Sequence, residues 1–574
     1  SKVGVQLPLY ACEHFYVVTE PVPELTKRPV LRDFDKGMYF KEDAGKYLFG
    51  WFEHNAKGCP MERIGPDFCF DEFPCDLEHI EPYLMAGIGT LPQLGEVGIN
   101  TFFNGPESFT VDNLHLLGPT PEVDNFWVAC GLNSKGIAAG GGLGKIMADW
   151  MIDGYPSQDI LECDVRRHQA AQRSQAYVEA RIPEALGYTY TMHWPFYQYT
   201  TARNTVISPL HKSLQAAGAC FGEVGGYERP NWFARNGAKP EYQYSYQRQN
   251  WFEFSAAEHR AVREAVGLYD VSSFGKFRVS GKDALATLQR LSCAEVDVPV
   301  GNLVYTQWLN ERGGIEADLT IARQAEAEFL VMTGVASTYR DGWHLRKNLL
   351  GQSVVEDVSA VYACLAIQGP QARTVLAKVS DCDLSNTAFA FATGQFTKVA
   401  GVEIWLQRLS YTGELGWELF IPAFAAPQVY HALWQAGLAA GICNVGLHAV
   451  NSLRLEKGFR HWGHDIGPAD NLQQAGLAFT AKPAAKEFIG RDAFLVAKAA
   501  GLPERRLVQF RLHDPDPLIY HHEPILLDGQ LVGYLSSAMY GHSLGSAIGM
   551  GYVNLPNLTA ETIRNSAFEI EVAC

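Results

Sequence analysis

The chain has 574 residues with 47% hydrophobic and 12% aromatic content, enough for about three or four domains at roughly 150 residues each. Its net charge of −16, from 47 basic against 63 acidic residues, argues against a nucleic-acid partner, which needs a basic face. No run approaches the roughly 18 consecutive apolar residues of a membrane span, so none is expected.

The first residues, SKVGVQLPLYACEHFYVVTE, alternate as a strand does and carry neither Met, a secretory signal nor an Arg/Ser-rich transit segment. The chain therefore reads as a mature form or a fragment, and AFEIEVAC at its end stops inside a strand pattern. Twelve cysteines without a CxxC pair fit a reducing compartment. Cys59, Cys69 and Cys75, with His54 and His79 nearby, match no standard zinc spacing, so scattered thiols and no metal site are expected.

In chain order, Phe15 to Thr19 and Tyr47 to Phe52 read as strands, Leu77 to Ala86 as a helix, and Asn104-Gly105-Pro106 as a loop. In 131–154, Leu143, Ile146, Met147, Trp150 and Met151 fall at helical spacing directly after Gly140, Gly141 and Gly142. This predicts a glycine-rich loop feeding a helix N-terminus. It does not match G-x-G-x-x-G. The plain reading is a tight loop; the functional one is backbone N–H groups and a helix dipole facing an electron-rich ligand.

Residues 170–235, dense in aromatics, Pro and Arg, read as an irregular connector ending in GYERPNWF. A polar stretch, 236–248, marks a boundary. Alternating strands and short helices then run to about residue 480. Within them LNERGGIEADLT (309–320) places a turn at Gly313-Gly314 before a strand holding Asp318. RLSYTGELGWE (408–418) predicts a tight turn at 411–414, rich in a phenol, carboxylates and a guanidinium that need partners if buried. From Glu504 onward the texture is that of a small β-domain.

Several separated motifs resemble the sarcosine and dimethylglycine dehydrogenase family. PLYACEHFYVVTEP (8–21), NGPESFT (104–110) and GLNSKGIAAGGGLGK (131–145) resemble the C-terminal part of its flavin domain. SPLHKSLQAAGACFGEVGGYERPNWF (208–233) resembles its central connector, and RLSYTGELGWE with the rest of 250–574 its folate-binding domain, similar to the aminomethyltransferase of glycine cleavage.

The resemblance implies a multidomain α+β chain. Its parts are a partial FAD-dependent oxidoreductase domain (1–170), a central connector (171–235), an aminomethyltransferase-like folate domain (236–490) and a β-rich, barrel-like C-terminal domain (491–574). The family's N-terminal Rossmann lobe, with G-x-G-x-x-G and in many members a histidine bonded to FAD, has no counterpart in these residues.

By resemblance, FAD contacts fall on Asn133, Ser134, Gly136, Gly140, Gly141 and Gly142. His14 matches the active-site histidine, and Phe52, after Trp51, stands where the family has a tyrosine. Trp51 and Phe52 then become aromatic walls for a methylammonium group. Asp318 matches the aspartate near the folate N5 and N10 nitrogens, and Thr320, Tyr411 and Glu418 the pterin contacts. Arg454, with Lys457 and Arg460 beside it, falls where a folate tail would lie, a solvated helix face being the simpler reading. Leu472-Gln473-Gln474 replaces the family's Pro-Leu-Glu.

The implied function is oxidative N-demethylation of sarcosine or dimethylglycine by FAD, the one-carbon unit passing to tetrahydrofolate. Electrons would go to an electron-transfer flavoprotein or to oxygen. The compartment would be a bacterial cytoplasm or a mitochondrial matrix. The alternatives are a non-catalytic regulatory relative, like the regulatory subunit of pyruvate dehydrogenase phosphatase, and a folate-dependent aminomethyltransferase alone.

Overall fold

Leu9–Thr19 is buried along nearly its whole length because both its faces meet a core, Tyr10 and Cys12 entering one and Phe15 and Val17 another, while strands pair along both edges. This is the organising strand of the first of two units into which a computed structural model, describing residues 3–572, divides the chain at residues 205 and 206. Lys46–Trp51 pairs along one edge, with Met38–Asp43 and Leu31–Asp33 beyond it. Ile99–Thr110 runs antiparallel along the other, setting His14 opposite Gly105.

The expected loop at Asn104-Gly105-Pro106 is therefore strand. Among the described residues Ile99–Thr110 pairs only with Leu9–Thr19, and an edge strand tolerates a proline that a central one does not. Gly105 is needed because a Cβ there would lie 2.8 Å from the Phe103 ring. The helix begins at Leu77 as expected, where Asp76 accepts from the His79 N–H at 3.1 Å. It continues to Thr90.

The glycine cluster is also placed differently. The helix spans Gly136–Asp153, so Gly140, Gly141 and Gly142 lie inside it rather than in a loop before it. Its exposed glycine face offers open space to any added Cβ. The loop proper is 131–135, where Gly131, Asn133 and Ser134 have positive φ. Gln175–Gly187 then buries Tyr177, Val178, Ile182 and Leu186 against Tyr10, Cys12, Phe52 and Phe109.

In the second unit, GYERPNWF is not irregular: Tyr227–Phe233 pairs with Ala219–Val224 as a hairpin. A six-stranded sheet (including Val266–Asp270, Tyr362–Gln368, Val402–Gln407 and Gly416–Pro422) and a five-stranded sheet (including Leu303–Leu309, Ile315–Ala325 and Glu328–Thr333) face each other. Period-two alternation sorts their side chains. Trp417, Leu419 and Ile421 face one core, Leu319 and Ile321 another, and Phe420, Ala322, Met332 and Cys364 fill the space between the sheets. That alternation aims Asp318, Thr320 and Glu418 into the same intersheet space. A separate five-stranded sheet from Arg505 onward forms the C-terminal domain.

Glu258 fastens this unit. Its carboxylate accepts the Phe233 and Gly446 N–H groups, each at 2.8 Å, and burial pushes its pKa up to about 8 despite both bonds.

Candidate functional site

Asp318 and Glu418 anchor a recess in the second unit from opposite sheets. Asp318 Oδ1 accepts from Gln307 Nε2 at 2.7 Å, and Gln307 is itself fixed because its carbonyl takes the Thr480 hydroxyl at 2.7 Å. Tyr305 hydrogen-bonds the same carboxylate, and Arg460 adds positive potential. Burial outweighs all three and raises Asp318 to about 6. An aspartate so poised exchanges a proton near neutral pH.

Across the recess, Glu418 Oε2 accepts from Gln407 Nε2 at 2.7 Å, and burial again raises its pKa. Its other oxygen takes no hydrogen bond among the described residues. Gln407 also touches Met332 Sδ at 3.3 Å, and Met332 is the cross-strand partner of Thr320, two residues from Asp318. The two carboxylates therefore belong to one continuous lining.

Tyr305 and Tyr411 remain 39% and 37% exposed, yet burial is the leading cause of their raised pKa values. Each phenol is thus partly enclosed by protein and partly open to solvent. Tyr411 Oη donates to the Arg460 carbonyl at 2.8 Å, holding the phenol at the recess wall.

Much of the 408–418 stretch is engaged by the protein itself. It forms a loop from 408 to 415 rather than a tight turn. Arg408 donates to the Phe389 carbonyl at 2.7 Å, and Glu414 pairs with Arg263 at 2.6 Å. Thr412 bonds to Gln368. Tyr411 and Glu418 are left to face the recess.

Arg454 is neither a solvated helix residue nor an open tail receptor. It is buried, ion-paired to Asp465 at 2.5 Å, and donates to Asn451 and the Phe459 carbonyl. The cation that acts on Asp318 is Arg460. Gln474 accepts the Asn471 N–H at 3.0 Å, so its amide serves the local turn where the family carries a carboxylate.

In the first unit, His14 lies between two carboxylates, Nδ1 4.0 Å from Glu53 and Nε2 4.0 Å from Glu107. Its ring lies 4.8 Å from Phe52 and 5.9 Å from Phe109. Phe52 in turn meets Tyr39 and Tyr190, which bring phenols to the ring that lacks one. Trp51 does not join this wall. As Phe52's neighbour on a strand it faces the opposite core, stacked on Tyr83.

The candidate flavin contacts divide likewise. Asn133 is buried and fully used, accepting from Thr110 N–H at 2.9 Å and donating to Gly131 O at 2.7 Å, so it pins the loop rather than facing a ligand. Ser134 is exposed and hydrogen-bonds Glu107. The helix starting at Gly136 has no side-chain cap among the described residues, leaving its first N–H groups open. An uncapped N-terminus beside a bare glycine face fits the electron-rich edge of a flavin.

Sequence reading missed Glu53, Tyr305, Gln307 and the role of Arg460. Tyr305 and Gln307 share a strand face opposite Thr320 and Asp318, a pairing visible only once the strands are matched.

Four family models match. They are the FAD dependent oxidoreductase (1–150), the FAD dependent oxidoreductase central domain (153–208), the GCVT N-terminal domain (210–485) and the glycine cleavage T-protein C-terminal barrel domain (505–574). A 4-methylaminobutanoate oxidase (formaldehyde-forming) of Paenarthrobacter nicotinovorans is 42% identical over 96% of this chain and 67% of its own length. Human mitochondrial sarcosine dehydrogenase is 36% identical over 96% of this chain and 64% of its own. The chain thus spans about two thirds of the length of these curated relatives. The crystal structure of glycine cleavage system aminomethyltransferase T from Bartonella henselae matches 61% of this chain and 90% of its own, with a TM-score of 0.53 and 28% identity.

Proposed function

The chain belongs to the sarcosine and dimethylglycine dehydrogenase family, and from that membership we propose that it serves oxidative N-demethylation of an N-methyl amino acid, with the one-carbon unit passed to tetrahydrofolate. The observation that carries the folate half is the pairing of Asp318 and Glu418 across one recess. A buried carboxylate with an unpartnered oxygen calls for N–H donors, and the amino-pyrimidine edge of a pterin supplies two in parallel. Asp318, raised to about 6, then takes or returns a proton at the folate nitrogens as the one-carbon unit is captured.

FAD, when bound, supplies the hydride acceptor. The chain's own residues do the rest. His14 receives the proton of the substrate ammonium, since only a neutral amine loses hydride. Phe52 and Tyr39 hold the methylammonium by cation–π contact. Ser134 and the open N–H groups from Gly136 onward face the flavin. Electrons leave to an electron-transfer flavoprotein or to oxygen. The substrate is sarcosine, dimethylglycine or a longer N-methyl amino acid such as 4-methylaminobutanoate, and the compartment a bacterial cytoplasm or a mitochondrial matrix.

The test is anaerobic mixing of flavin-loaded protein, made together with the family's N-terminal Rossmann lobe, with each of the three amines. Bleaching of the flavin by one of them is expected. If none bleaches it, the dehydrogenase reading fails and a non-catalytic relative takes its place.

A further inference from the structure

The first unit contains a knot of buried polar atoms that carry no hydrogen bond among the described residues: His14 Nδ1, both oxygens of Glu53, and His79 Nε2. Glu53 is fully buried. A carboxylate in that position without donors is strongly disfavoured. The donors within reach are two imidazoles, His14 Nδ1 at 4.0 Å from one oxygen and His79 Nε2 at 3.9 Å from the other. These gaps close by a small ring rotation or by one bridging water, the usual occupant of a buried polar site. His79 is held on its own side, its backbone N–H on Asp76 and its ring against Phe15 and Tyr83.

We propose that Glu53 is the positioning residue of His14, clamped from behind by His79. The inference rests on the reading of His14 as the residue that meets the amine. A carboxylate at Nδ1 fixes the proton there and leaves the Nε2 lone pair free. Nε2 faces Glu107, which also hydrogen-bonds Ser134 in the loop ahead of the helix that starts at Gly136. An alkylammonium has a pKa of about 10 and arrives charged at neutral pH. Its N–H bond breaks, the proton goes to Nε2, and the electron pair stays on the amine nitrogen. The resulting imidazolium is held between Glu53 and Glu107. The arrangement repeats, for an amine, the logic of a base oriented by a buried carboxylate. Other titratable groups around this core are Cys12 and Tyr83 beside Glu53, Tyr39 beside Glu107, and Asp76, paired with Lys57, beside His79.

Two readouts test it. In histidine-labelled chain, ring ¹⁵N shifts at pH 8 should show His14 as the Nδ1–H tautomer, and Glu53→Gln should convert it to a mixture while Glu53→Asp restores the single form. In flavin-loaded protein, Glu53→Gln should lower kcat/KM for the amine about 100-fold, with Glu53→Asp recovering part of the loss. Unchanged tautomer populations together with an unchanged kcat/KM overturn the proposal. If the wild type oxidises no N-methyl amine, the functional reading fails separately, and the ¹⁵N shifts alone decide Glu53. Should Glu53→Gln not fold, His79→Gln is read the same way: it frees one Glu53 oxygen, and an unaltered His14 ring then refutes the clamp.

Discussion

Replacing Asp318 by Asn should make the ligand-free protein more stable above neutral pH while destroying its folate chemistry. In the folded protein burial lifts this carboxyl from 3.8 to about 6. At about 1.36 kcal/mol per pH unit, holding it ionised opposes folding by about 3 kcal/mol, and water in the recess reduces this to about 2. Asn keeps the acceptor for Gln307 but cannot accept from Tyr305 with its amide nitrogen, a loss of about 1 kcal/mol. The net gain at pH 8 is about 1 kcal/mol. Because the folded pKa is raised, the penalty is absent below about pH 4, grows as pH rises through about 6, and is constant above. Urea denaturation of both proteins between pH 4 and 8 measures the difference. If the two stability curves stay parallel across that window, Asp318 is not the buried, desolvated carboxylate described here.

Three further outcomes are expected. Glu418→Ala should weaken tetrahydrofolate binding about 100-fold, the equivalent of about 3 kcal/mol for two charge-assisted hydrogen bonds; calorimetric titration reads it, and unaltered affinity removes Glu418 from the site. Arg454→Met should destabilise the chain by about 3–5 kcal/mol, because it strands the fully buried Asp465 without its cation; a loss confined to folate binding would instead restore Arg454 as a tail receptor. Glu258, raised to about 8, contributes stability that is complete at acid pH and lost as pH rises through about 8. Glu258→Gln should therefore flatten the alkaline side of the stability profile, which thermal unfolding between pH 6 and 9 measures.

Local pattern carried much of the fold. The alternation in ACEHFYVV gave a strand, and the spacing of Leu143, Met147 and Trp150 gave a helix, because these signals arise from one face meeting a core. Patterns failed where partners decide. Gly105-Pro106 is strand because it lies on an edge, and Gly140 to Gly142 are helical although glycine alone suggests a loop. The recess shows the same limit more sharply. Asp318 and Glu418 were legible by resemblance, but Tyr305, Gln307 and Gln407 join them only through cross-strand register. Arg454 looked like a solvated helix cation because Asp465, its buried partner, lies outside the helix. Trp51 and Phe52 are neighbours in sequence and therefore face opposite sides of a strand, so only one can stand beside His14. Glu53 gave no signal at all, since its meaning lies in two histidines distant in the chain.

The most direct measurement follows one carbon. Flavin-loaded protein is given an N-methyl amino acid labelled with ¹³C in the methyl group, in the presence of tetrahydrofolate, and the labelled product is read by NMR. The wild type should deliver the label to 5,10-methylenetetrahydrofolate, and Asp318→Asn should release it as formaldehyde while bleaching the flavin at an unchanged rate. Label that leaves both proteins in the same form would contradict a one-carbon transfer site between the two sheets.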